Sequence, residues 1–178
     1  SAGVSLALLL RRGVRFFDIA GAMIPPDMSY GRIVLAPLWA TVQMSLAGTG
    51  IGAVLGLVGG SFASAYLNPH AWLRVPFKAV IHLIRTIPAL ILALLCTFLV
   101  GLGTLAGTLA LSIYTTAVMA RMGYEDMENA DQKVAKALEA AGCGRLRAFI
   151  RTILPVVLAG YLINVLYMLE ANVRHAAI

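Results

Sequence analysis

The 178 residues are 60% hydrophobic and only 12% charged, with a mean hydropathy of +0.87, against about 25% charged residues in an ordinary soluble domain. One soluble core of this size could not hide so much apolar sequence, so a water-soluble fold is excluded and lipid must cover the remainder. The formal net charge of +6 would suit nucleic acid in a soluble protein, but no basic run interleaved with aromatics occurs, so no nucleic-acid partner is expected.

The N-terminal apolar tract, residues 4–10, is too short to span a bilayer, and Arg11, Arg12 and Arg15 follow it. A signal peptide carries its positive charge before its apolar run, so this tract is not expected to be one. The short opening tract, and the stop at Ile178 without a polar tail, lead us to expect a chain truncated at both ends.

Between Arg32 and Arg74 there is no Asp, Glu, Lys or Arg, which exceeds the roughly 20 apolar residues a membrane helix requires. A first complete span is expected over 37–66. Within it Gly48, Gly52, Gly56 and Gly60 recur at every fourth residue and Ser64 continues the row. This places bare backbone along one helical face, where another helix can approach closely. Packing inside one subunit is the simpler reading of that strip; a subunit interface or moving contact is the other.

The second charge-free stretch, 86–120, is interrupted by Gly101-Leu102-Gly103-Thr104 and reads as a helical hairpin with short, tilted or sheltered arms. Just before it, Arg85 and Thr86 precede Ile87-Pro88, where the missing amide breaks a helical hydrogen bond and permits a kink suited to a gate.

Residues 121–151 are polar and periodic, with Lys133, Lys136, Glu139, Arg145 and Arg147 set among Val134, Ala137, Leu138 and Leu146, and belong outside the bilayer. The segment 130–155 reads as a short amphipathic helix, a break at Gly142, and a second short helix ending at Leu154-Pro155. A last span is expected over 152–169. Because Lys and Arg gather on the cytoplasmic side, the 68–85 and 121–151 connections are expected there and the Gly101–Thr104 turn outside. By alternation 24–27 and 170–175 face outward, which puts Arg11, Arg12 and Arg15 outside, against the rule.

Cys96 lies in an apolar run and Cys143 in a polar loop, so neither a disulfide nor a metal site is expected. No G-x-x-x-x-G-K-[ST] phosphate loop occurs, so this chain is expected to draw on energy from elsewhere. No nucleophile-base pair, H-E-x-x-H or paired-carboxylate arrangement stands out either, and no enzymatic activity is expected.

Counting from Gly142, nine residues lead to Thr152-Ile153-Leu154-Pro155. This resembles the coupling loop of binding-protein-dependent ABC importer permeases, E-A-A-x-x-x-G followed after nine residues by I-x-L-P. Aligned on Gly142, the family's E-A-A falls on Lys136, Ala137 and Leu138; the literal Glu139-Ala140-Ala141 is out of register. Three further tracts are similar to permeases of the phosphonate and phosphite class: Ile24-Pro25-Pro26-Asp27, then Ile84-Arg85-Thr86-Ile87-Pro88 with the glycine-rich run 101–111, and Tyr167 to Arg174, YMLEANVR, against Y-R-x-E-x-N-V-R. Ala89 stands where that family usually has Glu, Thr104 where it has Pro, and Met168 where it has Arg. These departures make phosphite or hypophosphite as credible a cargo as an alkylphosphonate.

The resemblance implies an all-α polytopic transmembrane helical bundle with a cytoplasmic coupling-helix loop: one domain over 1–178, the loop at 123–150, and one more helix after Ile178. It implies a multi-pass bacterial inner-membrane permease working as a homodimer with ABC ATPase subunits, which bind ATP and Mg, and a periplasmic binding protein. Lys136, Ala137, Glu139, Gly142, Cys143, Arg145, Leu146 and Pro155 would meet the ATPase. Arg85, Thr86, Pro88, Ser112, Thr115, Thr116, Glu170, Asn172 and Arg174 would line or gate the path. Glu170 and Arg174, four residues apart, can pair on one helical face. The rival class, a secondary transporter or channel for small anions, predicts inverted repeats, and none is visible.

Overall fold

The computed structural model describes Ile19, Gly21 and residues 30–176. The tracts 4–15 and 24–27 lie outside the described residues. The chain divides into two units, 1–37 and 38–178, and the packed bundle belongs to the second. Among the described residues six helices succeed one another: α1 (Gly31–Ala63), α2 (Ala71–Thr86), α3 (Ala89–Val100), α4 (Thr104–Asn129), α5 (Lys133–Ala140) and α6 (Arg145–Ala176). The fold is an all-α membrane bundle. α1, α4 and α6 are each long and apolar enough to cross a membrane, and α2 and α3 form a pair bent by 95° at the Ile87-Pro88 break.

The glycine strip organises the centre. A Cβ added at Gly48, Gly52 or Gly56 would come within 2.8, 2.5 and 2.6 Å of the Cβ atoms of Leu111, Thr115 and Met119, and one at Gly60 within 2.8 Å of the Ala120 carbonyl oxygen. The partners advance in step with the glycines, so α1 and α4 run parallel, backbone close to backbone. The strip serves packing within one subunit. α6 runs antiparallel to both. Its Phe149 joins Tyr66 and Met127, its Tyr161 hydroxyl donates to the Ala53 carbonyl at 2.7 Å, and its Asn172 reaches Thr49 and Thr115.

α2 and α3 lean on opposite halves of α4. Ile81 packs with Ala63, Ala120 and Tyr124, whereas Leu92 and Cys96 pack with Ala106 and Ala110. The α3–α4 hairpin turns at Gly101 and Gly103, with Gly101 at φ 90°, a left-handed conformation that disfavours a side chain. Around that turn Phe98, Leu99 and Leu102 are 88%, 84% and 94% exposed. Such surface is stable only against lipid or another apolar chain.

Two sequence expectations need correction. The helix after Gly142 does not end at Leu154-Pro155: Pro155 lies inside α6, which runs for 32 residues in all, from Arg145 to Ala176, about 48 Å. One proline removes one backbone bond, but in hydrocarbon every other backbone group must stay paired, so the helix carries on. The break at Pro88, expected as a kink within one helix, is instead a corner between two.

Candidate functional site

The polar hairpin is built by an ordinary helix stop. At the end of α5 the amide of Cys143 donates to the Leu138 carbonyl and that of Gly142 to the Glu139 carbonyl, both at 2.9 Å, with Gly142 at φ 88°. This is the pattern of a glycine-terminated helix. Among the described residues nothing approaches the position a Gly142 Cβ would occupy, so the requirement for glycine here is the backbone angle. The Gly144 carbonyl accepts the first bond of α6 from Ala148.

Lys136, Ala137, Gly142, Arg145 and Leu146 are exposed together on this hairpin, and Cys143 is a half-buried free thiol. Ala135 is fully buried beside Tyr66, Met127, Phe149 and Ile153, which fixes the rotation of α5 and turns Val134, Lys136 and Ala137 outward. Pro155 is exposed but sits ten residues along α6 from Arg145, about 15 Å away, so it is not part of the hairpin surface. Glu139 faces inward: it accepts a hydrogen bond from the Tyr66 hydroxyl and lies 3.8 Å from Arg145.

Beside the hairpin, the end of α4 holds a charged knot that sequence reasoning missed. Glu128 accepts from the Ala65 amide at 2.9 Å and from Lys78 at 2.9 and 3.1 Å. Lys78 also sits 4.1 Å above the Tyr124 ring, whose hydroxyl is 3.1 Å from His82 Nε2. The knot ties α2 to the last turns of α4 and to the chain leaving α1. No local pattern could reveal it, because Lys78 and Glu128 are 50 residues apart.

The residues expected along a path are dispersed. Arg85 is half-buried at the end of α2, and Thr86 donates to its own Leu83 carbonyl at 2.7 Å. Pro88 caps α3. Ser112 and Thr116 donate to the Leu109 and Ser112 carbonyls within α4, at 2.8 and 2.7 Å, so these two hydroxyls are engaged by the helix that carries them. Glu170 and Arg174 pair at 3.3 Å on the exposed face of α6. Near that end, Ala89, His175 and Met44 help line an apolar cleft of about 220 Å³.

Asn172 and Thr115 are brought together with Thr49, a residue that the sequence alone did not single out. The buried Asn172 amide donates to both hydroxyls at 2.8 Å, joining α6, α1 and α4. Asn172 Oδ1 is a buried side-chain atom without a partner among the described residues. Met168, where the resemblance expects Arg, is buried one turn away against Ala53, Met119 and Tyr161; an uncompensated charge there would be costly.

The family of binding-protein-dependent transport system inner membrane components matches residues 48–178. The phosphite transport system permease protein PtxC of Stutzerimonas stutzeri is 30% identical over 160 residues, covering 90% of this chain and 58% of that protein. The phosphate-import permease protein PhnE of Mycolicibacterium smegmatis is 30% identical over 157 residues, 88% of this chain and 30% of that protein. The chain thus spans little more than half the length of the first relative and under a third of the second. In structure it is similar to a chain of the MetNI methionine ABC transporter in inward-facing conformation, with a TM-score of 0.76, 21% identity, and coverage of 85% of this chain and 74% of that one.

Proposed function

Because the chain belongs to the family of binding-protein-dependent transport system inner membrane components, we propose that it is the permease subunit of an ATP-driven importer for a phosphorus oxyanion: phosphite, hypophosphite or a phosphonate. The observation that carries this reading is the glycine-terminated hairpin at 133–146, held against the end of a three-helix membrane core with Lys136, Ala137 and Leu146 turned outward. A surface of this kind suits a soluble motor subunit, which supplies the ATP hydrolysis that no motif here supports. The relatives named for phosphite and phosphate import support the cargo class, and phosphate itself joins the candidates on that ground.

In this reading the hairpin lies in the cytoplasm, the Gly101–Gly103 turn outside, two copies enclose one pathway, and a periplasmic binding protein delivers the cargo and sets its specificity. Arg174, exposed near the outer end, offers a cation to the arriving anion or to that binding protein. The test is isolation of the tagged chain with its ATPase, followed by uptake of labelled phosphite. Gly142→Glu is expected to abolish ATPase association while leaving membrane insertion intact; retained association would count against the hairpin as the coupling surface. Arg174→Ala is expected to impair uptake with insertion unchanged, and normal uptake would remove Arg174 from the path.

A further inference from the structure

One side chain meets both arms of the hairpin. Tyr66, in the connection between α1 and α2, is 7% exposed. Its ring stacks on Phe149 of α6 at a centroid distance of 6.1 Å, and the Arg145 guanidinium lies 6.0 Å from the ring centroid. Its hydroxyl donates to Glu139 of α5. Arg145, 3.8 Å from Glu139, closes a ring of four residues drawn from both arms of the hairpin and from the connection after α1. Ala135 of α5 also packs into the core beside Tyr66, Met127, Phe149 and Ile153, an apolar contact without direction. The Tyr66–Glu139 bond is directional: it fixes how α5 rolls relative to the chain leaving α1, the helix whose glycine strip abuts α4.

We propose that Tyr66 is the positioning residue that transmits displacement of the coupling hairpin to α1, acting through Glu139 and Arg145. The inference rests on the permease reading. Force applied at the exposed face of α5 would dissipate in rolling of a two-turn helix unless the helix were fixed to the bundle. A hydrogen bond to a carboxylate, backed on one face by a stacked ring, resists that roll; apolar contacts slide more readily. Glu139 is therefore assigned to an inward role, and Lys136, Ala137 and Leu146 remain as the outward surface.

The test uses the complete complex, permease with its ATPase and binding protein, in proteoliposomes, and measures substrate carried per ATP hydrolysed. Tyr66→Phe keeps the ring stack and removes only the donor. It is expected to assemble like wild type and to lower the transport-to-hydrolysis ratio about tenfold or more, the effect of one hydrogen bond to a charged group. Glu139→Ala, which also releases Arg145, should be at least as low, the double variant should be no worse than Glu139→Ala because the Tyr66–Glu139 bond is already gone, and Glu139→Gln, which keeps an acceptor, should recover most of the ratio. An unchanged ratio in Tyr66→Phe and Glu139→Ala overturns the proposal. So does a parallel fall of assembly, hydrolysis and transport that leaves the ratio constant, since that marks a purely structural role. If Tyr66→Phe fails to insert, Glu139→Ala reads the same bond from its other end. A wild-type preparation that transports with no ATPase bound overturns the permease reading, and this inference with it.

Discussion

The seam between α1 and α4 and the hairpin end of the same bundle are held by opposite means. Along the seam four glycines bring backbones together with no charge and one polar triad, Thr49, Thr115 and Asn172. At the hairpin end Lys78, Glu128, Glu139 and Arg145 engage aromatic rings and one another. Lipid offers little hydrophobic drive for one helix to bind another, so the seam must rely on close fit. Where water reaches the chain, polar groups have competitors, and only linked sets of contacts hold a fixed geometry. Rigid interior and tethered exterior are what the proposed motor-driven permease requires.

The contrast is broken most readily at the seam. Gly52→Leu puts a side chain where even a Cβ falls 2.5 Å from Thr115, and the two helices must separate; a loss of about 3 kcal/mol or more is expected, read as a collapse of the folded fraction in detergent. Asn172→Ala removes both interhelical donors and should lower stability by about 1–2 kcal/mol, measured by denaturant titration in bicelles. If Asn172→Ala is neutral, the triad is passive filling.

At the hairpin end the effects on stability are smaller and those on coupling larger. Gly142→Ala forces a side chain into a left-handed angle at about 1 kcal/mol, with Gly142→Asn nearer wild type, checked by the same titration. The Tyr66 hydroxyl is pushed up to about 12, by burial first and then by its bond to Glu139. Its folded value lies above the ordinary 10.0, so its contribution is whole below pH 10 and is lost as pH rises through about 12; a thermal melt of wild type against Tyr66→Phe over that range should converge at the alkaline end. Least affected is Glu170→Ala, since that ion pair is exposed on both sides: less than about 0.5 kcal/mol is expected.

Much of the bundle is readable before folding because the bilayer imposes simple rules. The charge-free stretches correspond to α1, to the α3–α4 hairpin and to α6, and the four-residue glycine period implies the flat seam. The hairpin with its stop at Gly142 is equally local. What escapes such reading depends on distant partners or on the solvent. Tyr66 and Glu139 are 73 residues apart, and nothing near either signals the other. Ser112 and Thr116 look like available donors until the helix absorbs their hydroxyls, while Thr49 looks idle until Asn172 arrives from α6. Pro155 looks like a terminator under rules learned in water, yet the membrane keeps α6 intact beyond it.

The most direct measurement is substrate accumulation in sealed vesicles bearing this chain with and without its proposed partners. Phosphite, hypophosphite or a phosphonate should accumulate only with the ATPase bound at the hairpin, ATP on that side, and the loaded binding protein on the other. Accumulation by this chain without any ATPase, driven by an ion gradient and indifferent to ATP, would contradict the central claim.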